Sequence, residues 1–131
     1  MNLKLESTQI TNLTLEDFEG DKESEDVGAI LEFQLASAFS NEDPHTFLIL
    51  FKLSMVLQEG KILTLDFRAE FSTEDSIDDD FKFSEVPKVR APIIAFPYVR
   101  SFVSTFLLNA GYEPAVLPII DFEELYHSDV E

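Results

Sequence analysis

Histidine offers the broadest catalytic and metal-binding chemistry in this chain, which contains only two, His45 and His127. A protein zinc site needs three or four nitrogen, sulfur or oxygen ligands that converge on one point. Neither histidine has a second one at His-x-x-x-His spacing, and the sequence has no cysteine. Disulfides and thiolate metal sites are therefore excluded. We expect two exposed histidines, with no metal and no cofactor.

The serines, glycines and acidic residues also lack the spacing that nucleophilic or acid–base catalysis requires. Ser101 and Ser104 lie in a helical pattern, outside any Gly-x-Ser-x-Gly motif. The four glycines form no phosphate-binding loop. Acidic runs such as Glu123-Glu124 and 78–80 are more typical of solvated surface than of an acid–base pair. The sequence therefore predicts a protein that is not an enzyme.

Charge narrows the choice of partner. The 131 residues carry 9 Lys plus Arg against 26 Asp plus Glu, a net charge of −17. Because binding to nucleic acid requires clustered cations, nucleic acid is excluded as a partner, and an anionic membrane surface is disfavoured. Two acidic stretches, 16–26 and 74–80, have two explanations that the charge leaves open. They are either solvated loops that maintain solubility or a docking surface for a cationic partner.

Alternation of apolar and polar residues is the main structural signal. It predicts strands over 30–39, 46–58 and 62–71, and a weaker amino-terminal strand from Leu3 to Leu15 with a bulge near 7–11. The connections are too short for crossover helices. We therefore expect an α+β fold, in which a four-stranded antiparallel meander is followed by two helices.

The first helix is predicted over 98–110, with Pro97 in its first turn and Gly111 after its end. The second begins after Asp121, with Glu124 three residues later. The first helix is apolar on nearly all sides, so more than its own sheet must cover it. This predicts self-association through Tyr98, Phe102, Val103, Phe106 and Leu107.

The carboxy-terminal third resembles the SecB family of bacterial protein-export chaperones. Residues 96–100, Phe-Pro-Tyr-Val-Arg, match that family's opening of the first helix, and 121–126, Asp-Phe-Glu-Glu-Leu-Tyr, match its closing pattern. The order of four strands and two helices extends the resemblance over nearly the whole chain, as one domain, 1–131. It implies a tetramer built as a dimer of dimers, with the first helices sandwiched between the sheets.

The resemblance also implies a function. Family members hold unfolded precursor proteins and deliver them to SecA, whose basic tail docks on acidic positions of the sheet. Clients would bind apolar grooves formed by the sheet edge, the connection 114–120 and the second helix. For each candidate lining residue, core packing is the alternative. These candidates are Phe33, Phe47, Phe122, Leu125 and Tyr126.

The docking positions are matched in part. Glu16 lies where the family has a docking carboxylate, whereas Asn12 and Thr64 replace two further family acids. We expect Asp66 and Glu70, on the same outward face, to compensate for them. Asp17, beside Glu16, is a further acidic docking candidate.

A different class of function stays open, namely a dedicated SecB-like binding protein without SecA docking, such as an antitoxin-guarding chaperone or an assembly scaffold. The first residues lack the basic start and apolar core of a signal peptide. No apolar run approaches the roughly 20 residues that span a bilayer. We therefore expect a cytoplasmic protein that is not embedded in a membrane.

Overall fold

Four long strands and the helices that follow them make up the structure, a computed structural model that describes residues 2–17, 30–57, 60–113 and 117–130. The amino-terminal part of the chain forms the sheet, and the carboxy-terminal part forms the helices. The elements are β1 (Leu3–Asp17), β2 (Ile30–Phe39), β3 (Thr46–Leu57), β4 (Lys61–Thr73), α1 (Asp79–Lys82), a π-helical turn (Val86–Arg90), α2 (Ala91–Ala110) and α3 (Phe122–Val130).

The sheet is antiparallel throughout, as predicted, and its strand order is β1-β4-β3-β2. The meander is confirmed for β2, β3 and β4. It is wrong for β1, which pairs with β4 and leaves β2 at the opposite edge. Only short connections force consecutive strands to be neighbours, and the twelve residues 18–29 between β1 and β2 impose no such pairing.

The predicted irregularity in β1 is confirmed as two shifts in its register with β4, between Leu5 and Ser7 and between Ile10 and Asn12. Because side chains alternate between the two faces of a strand, each extra residue reverses the alternation that follows it. The two bulges therefore keep the apolar residues of β1 on the side of the sheet that carries the core. These are Leu3, Leu5, Ile10, Leu13 and Leu15.

The core lies between one face of the sheet and α2. Phe51 on β3 and Leu65 on β4 are 2% and 1% exposed, and α2 covers them with residues that recur at four-residue intervals. Four aromatic rings then join β2, β3, α2 and α3, with every pair of ring centroids 5.6 to 6.2 Å apart. These rings belong to Phe33, Phe51, Phe96 and Phe122.

The predicted start of the first helix is wrong. Helix α2 begins at Ala91 and not near residue 98, because Pro92 occupies its first turn and Pro97 lies inside it. Its end is confirmed at Gly111, which adopts a left-handed φ of 92°. There the N–H of Tyr112 donates to the carbonyl oxygen of Leu107 at 2.9 Å, which completes the C-terminal cap.

Candidate functional site: an apolar groove and an acidic sheet face

An apolar groove runs between edge strand β2 and helix α3. One part is a cavity of about 280 Å³ whose walls are β2, the π-helical turn and α3. The adjoining part is a cavity of about 420 Å³ between β2 and the start of α3. Phe33 and Leu125 line both parts, so we describe them as one surface, the α3 groove. Most of its other lining side chains are apolar, with four polar ones among them: Ile30, Leu35, Ala36, Ser37, Pro87, Lys88, Ile120, Asp121, Glu124 and Tyr126.

Three contacts hold α3 in position beside the groove. Asp121 Oδ1 accepts the N–H of Glu124 at 3.0 Å, which confirms the predicted N-terminal cap. Phe122 is only 3% exposed and anchors the first turn in the four-ring cluster. Tyr126 Oη donates to the carbonyl oxygen of Phe83 at 3.3 Å. Leu125, which is 40% exposed, is left facing the groove.

The five residues predicted to line a client groove separate into two groups. Phe33, Leu125 and Tyr126 do line the α3 groove. Phe47, 1% exposed, and Phe122 lie in the core, where the alternative of core packing applies. Phe47 stacks on the rings of Phe39 and Phe71 at 5.8 and 5.4 Å, because β2 and β4 flank it on the covered face of the sheet.

Sequence reasoning missed Pro87 and Lys88, which the π-helical turn contributes to the groove beside β2 and α3. They follow α1, which the strand and helix patterns did not predict. A signal was present in the sequence, because Asp78 precedes Asp79-Asp80-Phe81 and caps the helix with a 2.8 Å bond from the N–H of Phe81. Pro114 of the predicted groove connection lies outside the described residues.

The outward face of the sheet carries the predicted docking acids. The β1–β4 register places Glu16 opposite Ile62, and Asp66 and Glu70 follow along β4 on the same face. At about 3.4 Å per residue, these three acids span roughly 27 Å of the strand direction. Asp17 differs, because it forms an ion pair with Lys61 at 2.5 Å. Residues 18–26 of the first acidic stretch lie outside the described residues.

Asp66 has the most unusual surroundings of these acids. Its Oδ1 is buried and, within the described part of the chain, has no hydrogen-bond partner. It adjoins a cavity of about 290 Å³ on the outward face, which Gln34, Leu50 and Lys52 also line. An enclosed carboxylate oxygen without a donor favours a cationic or N–H group from outside.

The five residues predicted for self-association lie on two different faces of α2. Within one chain Val103 and Leu107 have no exposed area and pack in the core, which leaves them little surface to offer a second subunit. Tyr98 is 53% exposed, and the half-buried rings of Phe102 and Phe106 stack with centroids 5.9 Å apart. This outer stripe of α2 also includes Ile94 and, beside it, Leu108.

Length and composition alone would let the helical segment Asp79–Ala110 cross a membrane, with a mean hydropathy of 1.4 over its most apolar window. A helix that packs on a core passes the same test, and 39% of this window is buried inside the protein. The contact with the sheet explains part of this apolar character, and the outer stripe of α2 contributes to it as well.

Comparison with known proteins identifies the family. Residues 31–131 match the family model described as "SecB: Preprotein translocase subunit SecB". The chain is 30% identical over 106 residues to "Protein-export protein SecB" of Magnetococcus marinus, covering 73% of this chain and 63% of that protein. It is 28% identical over 106 residues to the protein of the same name from Aromatoleum aromaticum, covering 75% and 64%.

Solved structures share the fold at low sequence identity. A SecB-like chaperone of Mycobacterium tuberculosis, solved with a peptide from an antitoxin, superposes with a TM-score of 0.64 at 14% identity and 90% coverage of both chains. A Streptococcus agalactiae protein of unknown function gives a TM-score of 0.58 at 12% identity, covering 92% of this chain and 98% of that one. The α+β architecture predicted from the alternation and the two helices is confirmed.

The chain spans a little under two thirds of the length of the two curated relatives compared above. The match to the family model nevertheless includes three of the four strands and all of the helices. It also includes the segments 96–100 and 121–126, on which the resemblance in sequence depended. The match to the family model and the identity to the Magnetococcus marinus protein show that the chain belongs to the SecB family.

Proposed function

We propose that this protein is a chaperone that holds unfolded or precursor polypeptides in the α3 groove and assists protein export. The groove itself carries the proposal. It offers exposed apolar area from Leu125 and half-buried area from Phe33 beside the edge strand β2. Apolar area that is accessible in the folded state gains free energy when a client covers it, at about 25 cal/mol per Å².

The position of β2 explains why an extended client suits this groove. As an edge strand among the described strands, β2 has one row of backbone N–H and C=O groups with no strand beside it. An extended segment can pair with such an edge and place alternate side chains in adjoining cavities. The 10 residues of β2 extend over about 33 Å, so an extended client segment of about 10 residues could pair with the whole strand.

We further propose that the outward sheet face docks a basic partner, and that the SecA tail is this partner. Glu16, Asp66 and Glu70 supply the anionic positions, while Asn12 and Thr64 are neutral where the family has acids. Lys52 and Arg68 lie on the same face and reduce its negative potential. Docking should therefore be weak and sensitive to salt.

The proposal includes an assembly and a location. The outer stripe of α2 would be covered by further copies of this single domain, in a tetramer built as a dimer of dimers. Ile94, Tyr98, Phe102 and Phe106 recur every four residues along that stripe, which is the pattern of a helix face that packs. A holder of precursors before export would act in the cytoplasm, and its work requires no catalysis.

A second candidate is a dedicated binding protein that guards one partner. The observation that favours it is the likeness in fold to the Mycobacterium tuberculosis chaperone, which was solved with an antitoxin peptide. The neutral Asn12 and Thr64 favour it as well, because a dedicated partner requires no SecA docking.

Suppression of aggregation tests the proposal and separates the two candidates. We expect the protein to suppress aggregation of several unrelated unfolded proteins and Leu125→Glu to abolish most of this activity, because a charge in the groove opposes apolar contact. Ile93→Glu is the matched control, since Ile93 lies on α2, is 54% exposed and lines neither cavity. Suppression of only one client would favour the dedicated binding protein. Full activity of Leu125→Glu would exclude the α3 groove as the client site.

A further inference from the structure

Three metal-binding side chains converge between α3 and the residue that precedes the π-helical turn. Glu123 and His127 lie one helical turn apart on α3, and Glu85 immediately precedes the π-helical turn. One carboxylate oxygen from each glutamate and one imidazole nitrogen all lie within 4.8 Å of one another. All three residues are exposed. The cluster therefore joins two separate elements, although each side chain is free to adjust.

Neither Glu85 nor Glu123 caps a helix or forms an ion pair among the described residues. Glu85 occupies the N-terminal cap position of the π-helical turn, but its side chain makes no capping bond. The cap of α3 is made by Asp121 and not by Glu123. Across the described ranges 2–17, 30–57, 60–113 and 117–130, the ion pairs involve other acids. Two like charges so close together repel each other, and a bound cation would remove that cost.

We propose that Glu85, Glu123 and His127 form a binding site for a divalent transition metal, of which zinc is the probe of choice. Zinc binds carboxylate oxygen and imidazole nitrogen at about 2.0–2.2 Å, which sets tetrahedral ligands about 3.4 Å apart. The exposed side chains need to close from 4.8 Å by little more than 1 Å, within the reach of rotamer changes. Water completes the coordination. The imidazole selects zinc over magnesium, which prefers an all-oxygen shell.

Such a metal would link two of the three elements that line the α3 groove, the π-helical turn and α3. Glu85 lies two residues before Pro87 of the turn, and Glu123 and His127 flank Leu125 and Tyr126 on α3. The bond from Tyr126 Oη to the carbonyl oxygen of Phe83 already joins α3 to the residues just before this turn. The metal would thereby hold α3 against the segment that contains the π-helical turn and fix the position of α3 beside the groove. This consequence rests on the proposed function, whereas metal binding itself does not.

Calorimetric titration of the tag-free, full-length chain with zinc chloride tests the site. We expect one zinc per chain. Loss of even an outer partner of a metal ligand typically weakens affinity 10- to 100-fold, so His127→Ala, Glu123→Gln and Glu85→Gln should each weaken binding at least about tenfold. The matched controls, His45→Ala and Glu124→Gln, should bind as the parent does. Far-UV circular dichroism should show the same fold for all variants, because the substituted residues are exposed.

The outcomes that would overturn the site are equally specific. If the parent chain shows no saturable binding, or if His127→Ala binds zinc unchanged, the proposed site is wrong and zinc binds only nonspecifically to surface carboxylates. Binding that depends on His127 but not on Glu85 would overturn the link between the π-helical turn and α3, since the metal would then be held by α3 alone. Hydrogen exchange of α3 amides supplies a second measurement, and zinc should slow it in the parent chain but not in Glu85→Gln. None of these readouts requires a client, so they separate the metal site from the proposed chaperone activity.

Discussion

The covered face and the outward face of the sheet both carry apolar residues, but these residues differ in how deeply they are buried. On β3, Leu50 and Phe51 are adjacent and both apolar, yet Phe51 is 2% exposed under the helices while Leu50 is half-buried on the outward face. The covered side presents apolar residues from all four strands to the core. The outward side mixes apolar residues with Asp66, Arg68 and Glu70. Burial by α2, and not residue type alone, therefore separates the two sides.

This difference predicts different physical responses on the two sides. Contacts on the helix side depend on removing apolar area from water, which salt hardly affects. Contacts on the outward side depend on exposed charges, which are screened beyond about 8 Å at physiological ionic strength. Paired substitutions, one on each side of the sheet, test whether the two sides respond differently.

The largest effect is expected for Phe51→Ala. This ring belongs to the four-ring cluster that joins β3 to α2 and α3, so its loss leaves a cavity. We expect the free energy of unfolding to fall by about 3–5 kcal/mol. Its neighbour on the other side, Leu50→Ala, should cost less than about 1.5 kcal/mol because half-buried positions lose less apolar area. Urea denaturation measures both, and equal losses would contradict the comparison.

The sheet and its core could be predicted from the sequence because a period of two is a local property. Alternating residues such as Phe47, Ile49 and Phe51 identify a buried face without knowledge of the fold. The pairing of β1 with β4 could not be predicted this way, since it depends on a contact between distant parts of the chain. The helical turns at 79–90 could not be predicted either, because they are short and contain a proline, and both features weaken the helical periodicity of the sequence.

The candidate site was predictable only in part, for a related reason. Phe33 in a strand and Phe122 in a helix were both predicted to line the groove, but the fold leaves the first half-buried in the groove and encloses the second in the core. The burial of each ring depends on which elements pack around it in the folded chain, and the local sequence does not determine this. The cluster of Glu85 and His127 joins positions 42 residues apart in sequence, although the Glu123-x-x-x-His127 spacing on α3 was a readable signal.

The next largest effect concerns the outer stripe of α2, where Tyr98 is exposed and Phe102 and Phe106 are only half-buried. Phe106→Glu should lower the assembly state, because burying one phenylalanine contributes about 1.5–3 kcal/mol and a charge cannot replace it. Light scattering at micromolar concentration measures the mass. Thr105→Glu, on an exposed neighbouring position, is the control and should leave the mass unchanged. A parent chain that is itself a monomer at this concentration would contradict the predicted assembly.

A smaller effect is expected within the groove at Tyr126. Tyr126→Ala should weaken client binding by about tenfold, since it removes apolar area equivalent to about 1.4 kcal/mol. Tyr126→Phe keeps the ring but loses the bond to the Phe83 carbonyl oxygen, so it should retain most of the affinity. Fluorescence anisotropy with a labelled unfolded client measures both variants in low and high salt. A strong dependence of the parent affinity on salt would argue that charge, and not apolar contact, drives client binding.

The smallest effect is expected on the outward face, where Glu16→Lys should weaken docking of a SecA tail peptide by a few-fold in physiological salt and by more in low salt. Exposed ion pairs contribute about 0.2–1 kcal/mol, and Glu16 is exposed on β1. Glu42→Lys makes the same change of charge in the loop 40–45 and should have less effect, because that loop lies outside the outward face. Aggregation suppression should remain intact in both variants, since the α3 groove is a separate surface. Absence of peptide binding to the parent even in low salt would mean that Glu16 and its neighbours serve solubility, and the dedicated binding protein would then be the better description of this chain.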